Sequence, residues 1–535
     1  MTFHPLRLVR RLVMRAHMGA APHRGGRVRE AAAIPRAVSL CVAVLLSVTV
    51  FVAAAQAAEC KMNVVVYDSG DSGLRGQLRN AIADVCDGGT IRVRPGILIR
   101  LEQGELVIPS AKTLTIMNPS QGVSTAAVID ADGASRVIVV QAAADLTLSN
   151  VMVRGGSGGG INNQGSLTVV GGSVTGNTGF GIVNTGDATL SDDAAVTANQ
   201  GTGVLNGKDF SSFPPTGGNL TLEDNSSISG NVGSFGGGIA NDGVVTMNED
   251  SSISGNVASL GGGIFNGPDP FFDSVVTLND SSSISGNQAQ MGGGIHNEPG
   301  FGGGQAIVIL NDHGSITDNV APSGGGVEGG RGAVTLNDDS TIASNTSGGI
   351  FVDRGSVTLN DHSSVANNQG EGVTGGFCCV TLNDQSAIVG NTGHGVVTSN
   401  FTSVTLNDSS RISENEAGGI VGTRGSLVTL NGSSTISGNT SQRGGGGISN
   451  DDGSVVLNGD SSITRNAAKL GGGIYNFGLS GSSVVLNDNS SIAGNIATDG
   501  LGGGIYSEQG SSVTLNDASS ITGNIPDNCF PSSDC

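Results

Sequence analysis

Ten aspartates recur two positions after an apolar anchor: Asp192, Asp224, Asp280, Asp312, Asp338, Asp361, Asp384, Asp408, Asp488 and Asp517. Glu249 takes the place once, and Gly432 and Gly459 break the row. Carboxylates lined up at the spacing of neighbouring β-strands, about 4.8 Å, repel one another. A hard cation with oxygen ligands relieves that repulsion. The row therefore makes Asp280, Asp312, Asp338, Asp361, Asp384 and Asp408 candidate ligands for Ca2+. The competing reading is a solvated row of turn aspartates that keeps a stacked protein soluble, because Asp suits tight turns. That reading is preferred, and no other metal or cofactor is expected. His313 and His362 share a position in the pattern but stand two repeats apart, roughly 10 Å at the strand spacing, too far to share a metal ion.

Those positions acquire meaning only through the element that repeats. The sequence has 535 residues with 89 Gly, no Trp, 3 Tyr and 13% charged residues, a poor composition for several ordinary domains. Its 37% hydrophobic residues argue equally against disorder. Apolar anchors recur at Leu190, Leu222, Met247, Leu278, Leu310, Leu336, Leu359, Leu382, Leu406, Leu430, Leu457, Leu486 and Leu515. Ile or Val follows each by six positions and Asn by nine, as in Ile228 and Asn231, or Ile412 and Asn415. Val169 opens a copy one residue shorter. A G-G-G-I-x-N block follows in most copies, at 236–241, 261–266, 292–297 and 471–476. The shortest anchor spacing is 23 residues, from Leu336 to Leu359 and on to Leu382.

Such a repeat accommodates three short strands and three turns. Alternation in V-T-L points Val and Leu inward and Thr outward, and the Ile of S-I-S and of G-G-G-I points inward too. No single coil buries its apolar face, so stacking must build the core. The expected fold is all-β: a right-handed parallel β-helix, a solenoid of the pectin-lyase type. Fourteen coils at the strand spacing give a rod of roughly 65 Å. Asn at the ninth position is expected in a left-handed turn conformation, its amides stacked as a ladder. Gly-Gly-Gly allows corners where a Cβ would clash. Extra residues are expected at one corner, after the third strand. They fall at 206–219, with Phe210, Phe213, Pro214 and Pro215, at 267–273, with Phe271 and Phe272, and at 298–304 and 477–482. In solenoids such an edge often carries binding.

The ends read differently. Residues 1–36 hold eight Arg, an apolar stretch runs over 37–55, and Ala55-Gln56-Ala57 is a small-x-small cleavage signature, so 1–57 reads as a signal peptide. Left uncleaved, the apolar stretch would anchor the chain in a membrane. Cleavage removes eight Arg and one Glu and leaves 17 basic and 44 acidic residues, a net charge of −27. That charge opposes nucleic acid and anionic membrane surfaces as partners. Residues 58–89 are expected to form an N-terminal cap, with strand 63–67 and a short amphipathic helix placing Leu74, Leu78, Ala81, Ile82 and Val85 on one face after an N-cap at Ser72. The β-helix spans 90–524 and a tail 525–535. In an exported protein Cys60–Cys86 and Cys529–Cys535 are the expected disulfides, with connectivity open. Cys378 and Cys379 point to opposite faces of a strand, the first buried and the second exposed.

The stretch D-S-G-L-R-G-Q-L-R-N-A-I-A-D at 71–84, followed by G-G-T-I at 88–91, resembles the start of secreted bacterial right-handed β-helix repeat proteins. The S-G-N-x-A-x-x-G-G-G-I-x-N blocks resemble repeats of those proteins and, more loosely, of the polymorphic outer-membrane proteins of chlamydiae. The resemblance implies the fold and a surface or extracellular setting, and it implies no activity. The chlamydial proteins resemble autotransporters with a membrane barrel; this sequence ends at Cys535 with none, so outer-membrane placement is not carried over.

Parallel β-helices also include polysaccharide lyases and hydrolases. Gly393-His394-Gly395 resembles the G-H-G of polygalacturonases, but Arg411-Ile412-Ser413 stands where that family has R-I-K, and no paired Asp precedes it on the same face. Lyase chemistry needs clustered carboxylates beside a base, and hydrolysis needs two placed carboxylates. The basic residues beyond 155, namely Lys208, Arg331, Arg354, Arg411, Arg424, Arg443, Arg465 and Lys469, read as scattered. No catalytic residue is assigned. The expected function is a secreted or surface-exposed structural or adhesin-like protein contacting glycan or a host or neighbouring-cell surface protein. A carbohydrate-active β-helix enzyme is the alternative.

Overall fold

The computed structural model describes residues 60–120, 125–207, 218–267, 273–298, 304–479 and 481–532. The expected signal segment 1–57 and most of the insertion residues, Phe210, Phe213, Pro214, Pro215, Phe271 and Phe272 among them, lie outside these residues.

One coil shows why the sequence folds as it does. Leu427–Leu430, Thr435–Ser437 and Ile448–Asp451 are its three strands. Val428, Leu430, Ile436 and Ile448 are wholly buried, while the residues between them face out. Each strand is three or four residues long and presents too little apolar surface to fold alone. Stacking solves this. Leu430 lies beside Leu457, Ile436 beside Ile463 and Ile448 beside Ile474 in the next coil, all in parallel register. Burying one such side chain contributes about 1.5–3 kcal/mol, so the continuous stacks supply the core that single coils lack.

The result is a parallel β-solenoid with a first sheet of 18 strands and two further sheets built by the same coils. The first sheet opens with Lys61–Val66 paired to Val85–Val93, and the degenerate strands Thr113–Met117 and Asp145–Ser149 continue it in register. These coils lengthen the stack beyond the fourteen counted from the anchors, to roughly 80 Å at the strand spacing. The only helix among the described residues is Leu78–Asp84. It buries Leu78, Ala81 and Ile82 beside the first strands, and Lys112 Nζ donates to Ile82 O at 2.7 Å. Its start differs from expectation. The N-cap position is Gln77 rather than Ser72, and Leu74 is 64% exposed outside the helix. The Gln77 side-chain oxygen instead accepts from Ser72 Oγ and from the Leu74 N–H, which holds 72–77 as a turn.

Asparagine ladders tie the corners together. The ninth-position ladder runs as expected: Asn391 Nδ2 donates to Asn415 Oδ1 at 3.0 Å, and Asn415 Nδ2 to Asn439 Oδ1 at 2.9 Å. These asparagines are not left-handed, however. The preceding residue takes that conformation, as in Gly390 (φ 67°), Glu414 (φ 60°) and Gly438 (φ 68°). The reversal there aims the Asn side chain along the axis, which the ladder requires. A second ladder follows the anchors, for example Asn407 Nδ2 to Asn383 Oδ1 at 2.8 Å, and it runs in the opposite direction. A third links the G-I-x-N asparagines, from Asn163 through Asn184, Asn206, Asn241 and Asn266 to Asn297, and resumes from Asn450 to Asn476.

Candidate functional site

Length variation falls at two corners rather than at the single one expected. Besides the insertions after the third strand, the corner between second and third sheets changes. The apolar residue of the third strand follows the ninth-position Asn by eight positions at Asn319 and Val327, then by five at Asn345 and Ile350, Asn368 and Val373, Asn391 and Val396, and Asn415 and Ile420. The offset rises to nine at Asn439 and Ile448. Aligning copies on V-T-L conceals this, because glycines absorb the difference. Long corners stack on one another through the bridges Met291 to Ser323 and Gly444 to Leu470. The four short coils between them leave a notch roughly 19 Å long at the strand spacing. Glycine is obligatory in the long corners: a Cβ on Gly263 would stand 2.6 Å from Gly294 O and 3.1 Å from Asn287 Nδ2.

At the start of the notch lies a depression of about 290 Å3. Pro322, Ser323 and Gly324 wall it, and Phe351, Glu371, Thr374 and Val397 are among its floor residues. Glu371 sits beside His394, Oε1 to Nδ1 4.0 Å, and the histidine holds its carboxyl below the ordinary glutamate range against the opposing effect of burial. Next along the third sheet, His296 is 4% exposed between two carboxylates, with Nε2 3.1 Å from Glu298 and Nδ1 3.4 Å from Glu328. The Phe265 ring stacks on it at 5.6 Å. Burial pushes the imidazolium towards losing its proton, but the two carboxylates outweigh burial and raise its pKa. None of His296, Glu298, Glu328 and Glu371 was singled out from sequence. The available signal was the outward x of G-I-x-N, which reads Ala240, Phe265, His296, Glu328 and Phe351 on successive coils.

The outer rows of the other sheets carry no aromatic side chain among the described residues. One row of the first repeats Thr, as in Thr335, Thr358, Thr381 and Thr405, with Ile309 and Val456 among the exceptions, and the second uses mainly Ser and Thr, with Ala387, Val389 and Arg411 among the exceptions. Near its end the third sheet carries an aromatic run, where Tyr475 and Tyr506 lie tilted at 5.4 Å, Phe530 stacks on Tyr506 at 5.5 Å and Tyr475 Oη donates to Glu508 at 2.7 Å.

The residues chosen from sequence occupy other places. Asp280, Asp312, Asp338, Asp361, Asp384 and Asp408 are exposed turn residues between first and second sheets, all left-handed with φ between 46° and 57°. Where the row's carboxylates have partners, these are backbone N–H groups of the preceding coil, as from Asp224 N to Glu249 at 3.0 Å and from Gly459 N to Asp488 at 2.9 Å. Among the described residues no group of three His, Cys, Asp or Glu is placed to hold a metal ion. His394 lies in a third-sheet strand and Arg411 in a second-sheet strand, so the two do not share a face. Cys60 and Cys86 form a disulfide. Cys529 is disulfide-bonded as well, and Cys535 lies outside the described residues. Cys378 is buried, its thiol pushed up by burial to about 11, and Cys379 is exposed.

The coil with Asn439 and Ile448 decides what the chain is similar to. Residues 433–451 match the Chlamydia polymorphic membrane protein repeat. The matched segment comprises the strand Thr435–Ser437, the ladder residue Asn439, the glycine corner and the strand Ile448–Asp451. The repeat is thus a unit of second strand, corner and third strand, and its asparagines are rungs of two ladders. No curated protein matches the chain. Among the described residues no helix is long and apolar enough to cross a membrane.

Proposed function

We propose that the chain is a secreted or surface-exposed binding scaffold of the adhesin-like kind, related to the secreted bacterial β-helix repeat proteins, whose third-sheet face and adjoining corners contact glycan or a surface protein of another cell. One observation carries the reading. Within a single chain the inward positions scarcely vary and the outward rows of the first and second sheets hold mostly Thr, Ser and aliphatic residues, whereas the outward row of the third sheet runs through Phe, His, Glu, Thr, Val, Ser and Tyr and carries the strand aromatics of the described residues. Stacking requires only that inward positions repeat. Aromatic side chains gathered on one outer face serve contacts rather than folding, and solenoids bind along such faces. The match to a membrane-protein repeat at 433–451 supports a surface setting. The notch supplies concave relief, and its Glu371 and His394 supply polar contacts.

The test is adherence of the purified mature chain to cells and to arrayed glycans, alongside turnover assays on polyuronides. Saturable adherence without turnover is expected. Depolymerisation that disappears in His394→Ala would replace the scaffold reading with the enzyme one.

A further inference from the structure

The corner from third to first sheet changes character over five consecutive coils. Four positions past the inward Val or Ile of the third strand stand Arg331, Arg354, Phe377, Asn400 and Arg424 in turn, with Phe401 next to Asn400. Parallel register sets these positions over one another, since Asp353 pairs with Gly376 and Gly376 with Ser399. The Phe377 N–H donates to Ser399 O at 3.2 Å and the Phe401 N–H to Arg424 O at 3.2 Å. The side chains continue the row. Arg354 Cζ lies 5.8 Å from the Phe377 ring centroid, and the Phe401 ring lies over the next coil, 2.9 Å from where a Cβ on Gly425 would stand. Phe377 is 53% and Phe401 77% exposed. The stripe is straight, one residue wide and roughly 19 Å long at the strand spacing.

Two facts separate it from an ordinary surface. The first is charge. On a chain of net charge −20, three of the few arginines beyond residue 155 gather here, although 93 residues separate the first from the last. Asp353 stands 3.7 Å from Arg354, Asp451 acts on Arg424 from the next coil, and Asp452 closes the row. Among the described residues no carboxylate lies within ion-pair distance of Arg331 or Arg424. The second fact is backbone conformation. Arg354 (φ 61°), Phe377 (φ 47°), Phe401 (φ 56°) and Arg424 (φ 48°) are all left-handed, a region that favours Gly, Asn and Asp and that costs a bulky side chain stability. Among the described residues the left-handed positions outside this row hold Gly, Asp, Asn, Ala, Ser and Glu, with Arg465 the one other Arg or aromatic, so four such side chains gathered in a single row point to use of the side chains themselves.

We propose that this stripe binds an anionic polysaccharide laid along the solenoid axis. Arg331, Arg354 and Arg424 pair with its carboxylate or sulfate groups, and Phe377 and Phe401 stack on the apolar faces of its sugar rings. The even step from coil to coil suits a polymer with a regular charge repeat. Phosphate-dense nucleic acid is disfavoured by the surrounding aspartates and the net charge. The inference deepens the binding-scaffold reading and rests on it.

Calorimetric titration of the full mature chain tests it, using oligogalacturonate, a sulfated glycosaminoglycan oligosaccharide, a neutral β-glucan, polyglutamate and an oligothymidylate. Binding is expected for one or both anionic glycans, weakening with salt, and not for the neutral glycan. The pairs Arg354→Asn with Arg424→Asn and Phe377→Asn with Phe401→Asn should each raise Kd about tenfold or more. Their melting temperatures should stay level or rise, because Asn suits left-handed positions. Unchanged affinity in both double variants overturns the proposal, as does equal binding of polyglutamate or oligothymidylate. A chain that adheres to cells but binds neither anionic glycan overturns the stripe and leaves the scaffold reading standing.

Discussion

The side-chain oxygen of Asn439 accepts two hydrogen bonds from Asn415 one coil earlier, from its backbone N–H at 3.0 Å and its side-chain amide at 2.9 Å. Both residues are wholly buried. Each rung therefore satisfies a backbone donor and a side-chain donor at once, and each depends on its neighbour.

Replacing Asn415 by Ala breaks the ladder on both sides. The Asn391 N–H and amide lose the Asn415 side-chain oxygen, and Asn439 loses its amide donor while keeping the backbone N–H of residue 415. With each orphaned buried group costing about 1–3 kcal/mol, a loss of about 3 kcal/mol or more is expected in urea unfolding. Asn360→Ala interrupts the half-exposed second ladder, where one bond is lost on each side, and should cost about 1 kcal/mol. Equal losses would show that burial does not set the strength of a rung.

His296 gives the scaffold a pH dependence. Its pKa is raised in the fold because Glu328 and Glu298 outweigh burial. The stability it contributes is fully present below the ordinary histidine pKa and is lost as pH rises through the folded value. Melting measured from about pH 6 to about pH 9 should fall more steeply for the wild type than for His296→Gln. Parallel curves would mean that the two carboxylates contribute nothing through the ring.

Asp71 works with the opposite sign. Burial raises its pKa, but Arg79, at 2.8 Å, and the backbone N–H groups of Gln103 and Glu102 bring it below the ordinary aspartate value. Its contribution is present above the ordinary aspartate pKa, about 3.9, and is lost as pH falls through the lower folded value. Asp71→Asn should remove that part of the acid sensitivity, read as amide exchange over Leu78–Asp84.

The Cys60–Cys86 bond closes a separation of 26 residues. On the loop-closure estimate it contributes about 3.5 kcal/mol, so Cys60→Ser with Cys86→Ser should lower the unfolding midpoint of this end of the stack. An unchanged midpoint would show that the reduced segment retains its structure when unfolded.

The two free cysteines should separate chemically. Cys379 is exposed, whereas Cys378 is 4% exposed with a thiol pushed up to about 11 by burial. Iodoacetamide on the folded chain near pH 8 should modify Cys379 alone. Modification of Cys378 at a comparable rate would place it at a surface.

The sequence by itself determined the coil. Leu430, Ile436 and Asn439 recur with fixed offsets because each must lie on its counterpart at the strand spacing, and that requirement is written locally in every copy. It also determined the burial of Cys378, through strand alternation, and the ladder at the ninth position. Only the tertiary structure decided what shares a surface. His296 and Glu328 are 32 residues apart, and Arg331 and Arg424 are 93 apart. Their placement on one face depends on how many residues each corner absorbs. Glycine-rich corners vary from five positions to ten, as from Asn495 to Ile505, without disturbing the core, so no pattern of anchors reveals which outward residues fall in line. The left-handed turns were hidden for a related reason: Asp280 adopts one while Asn439 does not, because the ladder needs the Asn side chain along the axis and passes the reversal to Gly438. The scaffold is thus a matter of periodicity, and the candidate site a matter of register.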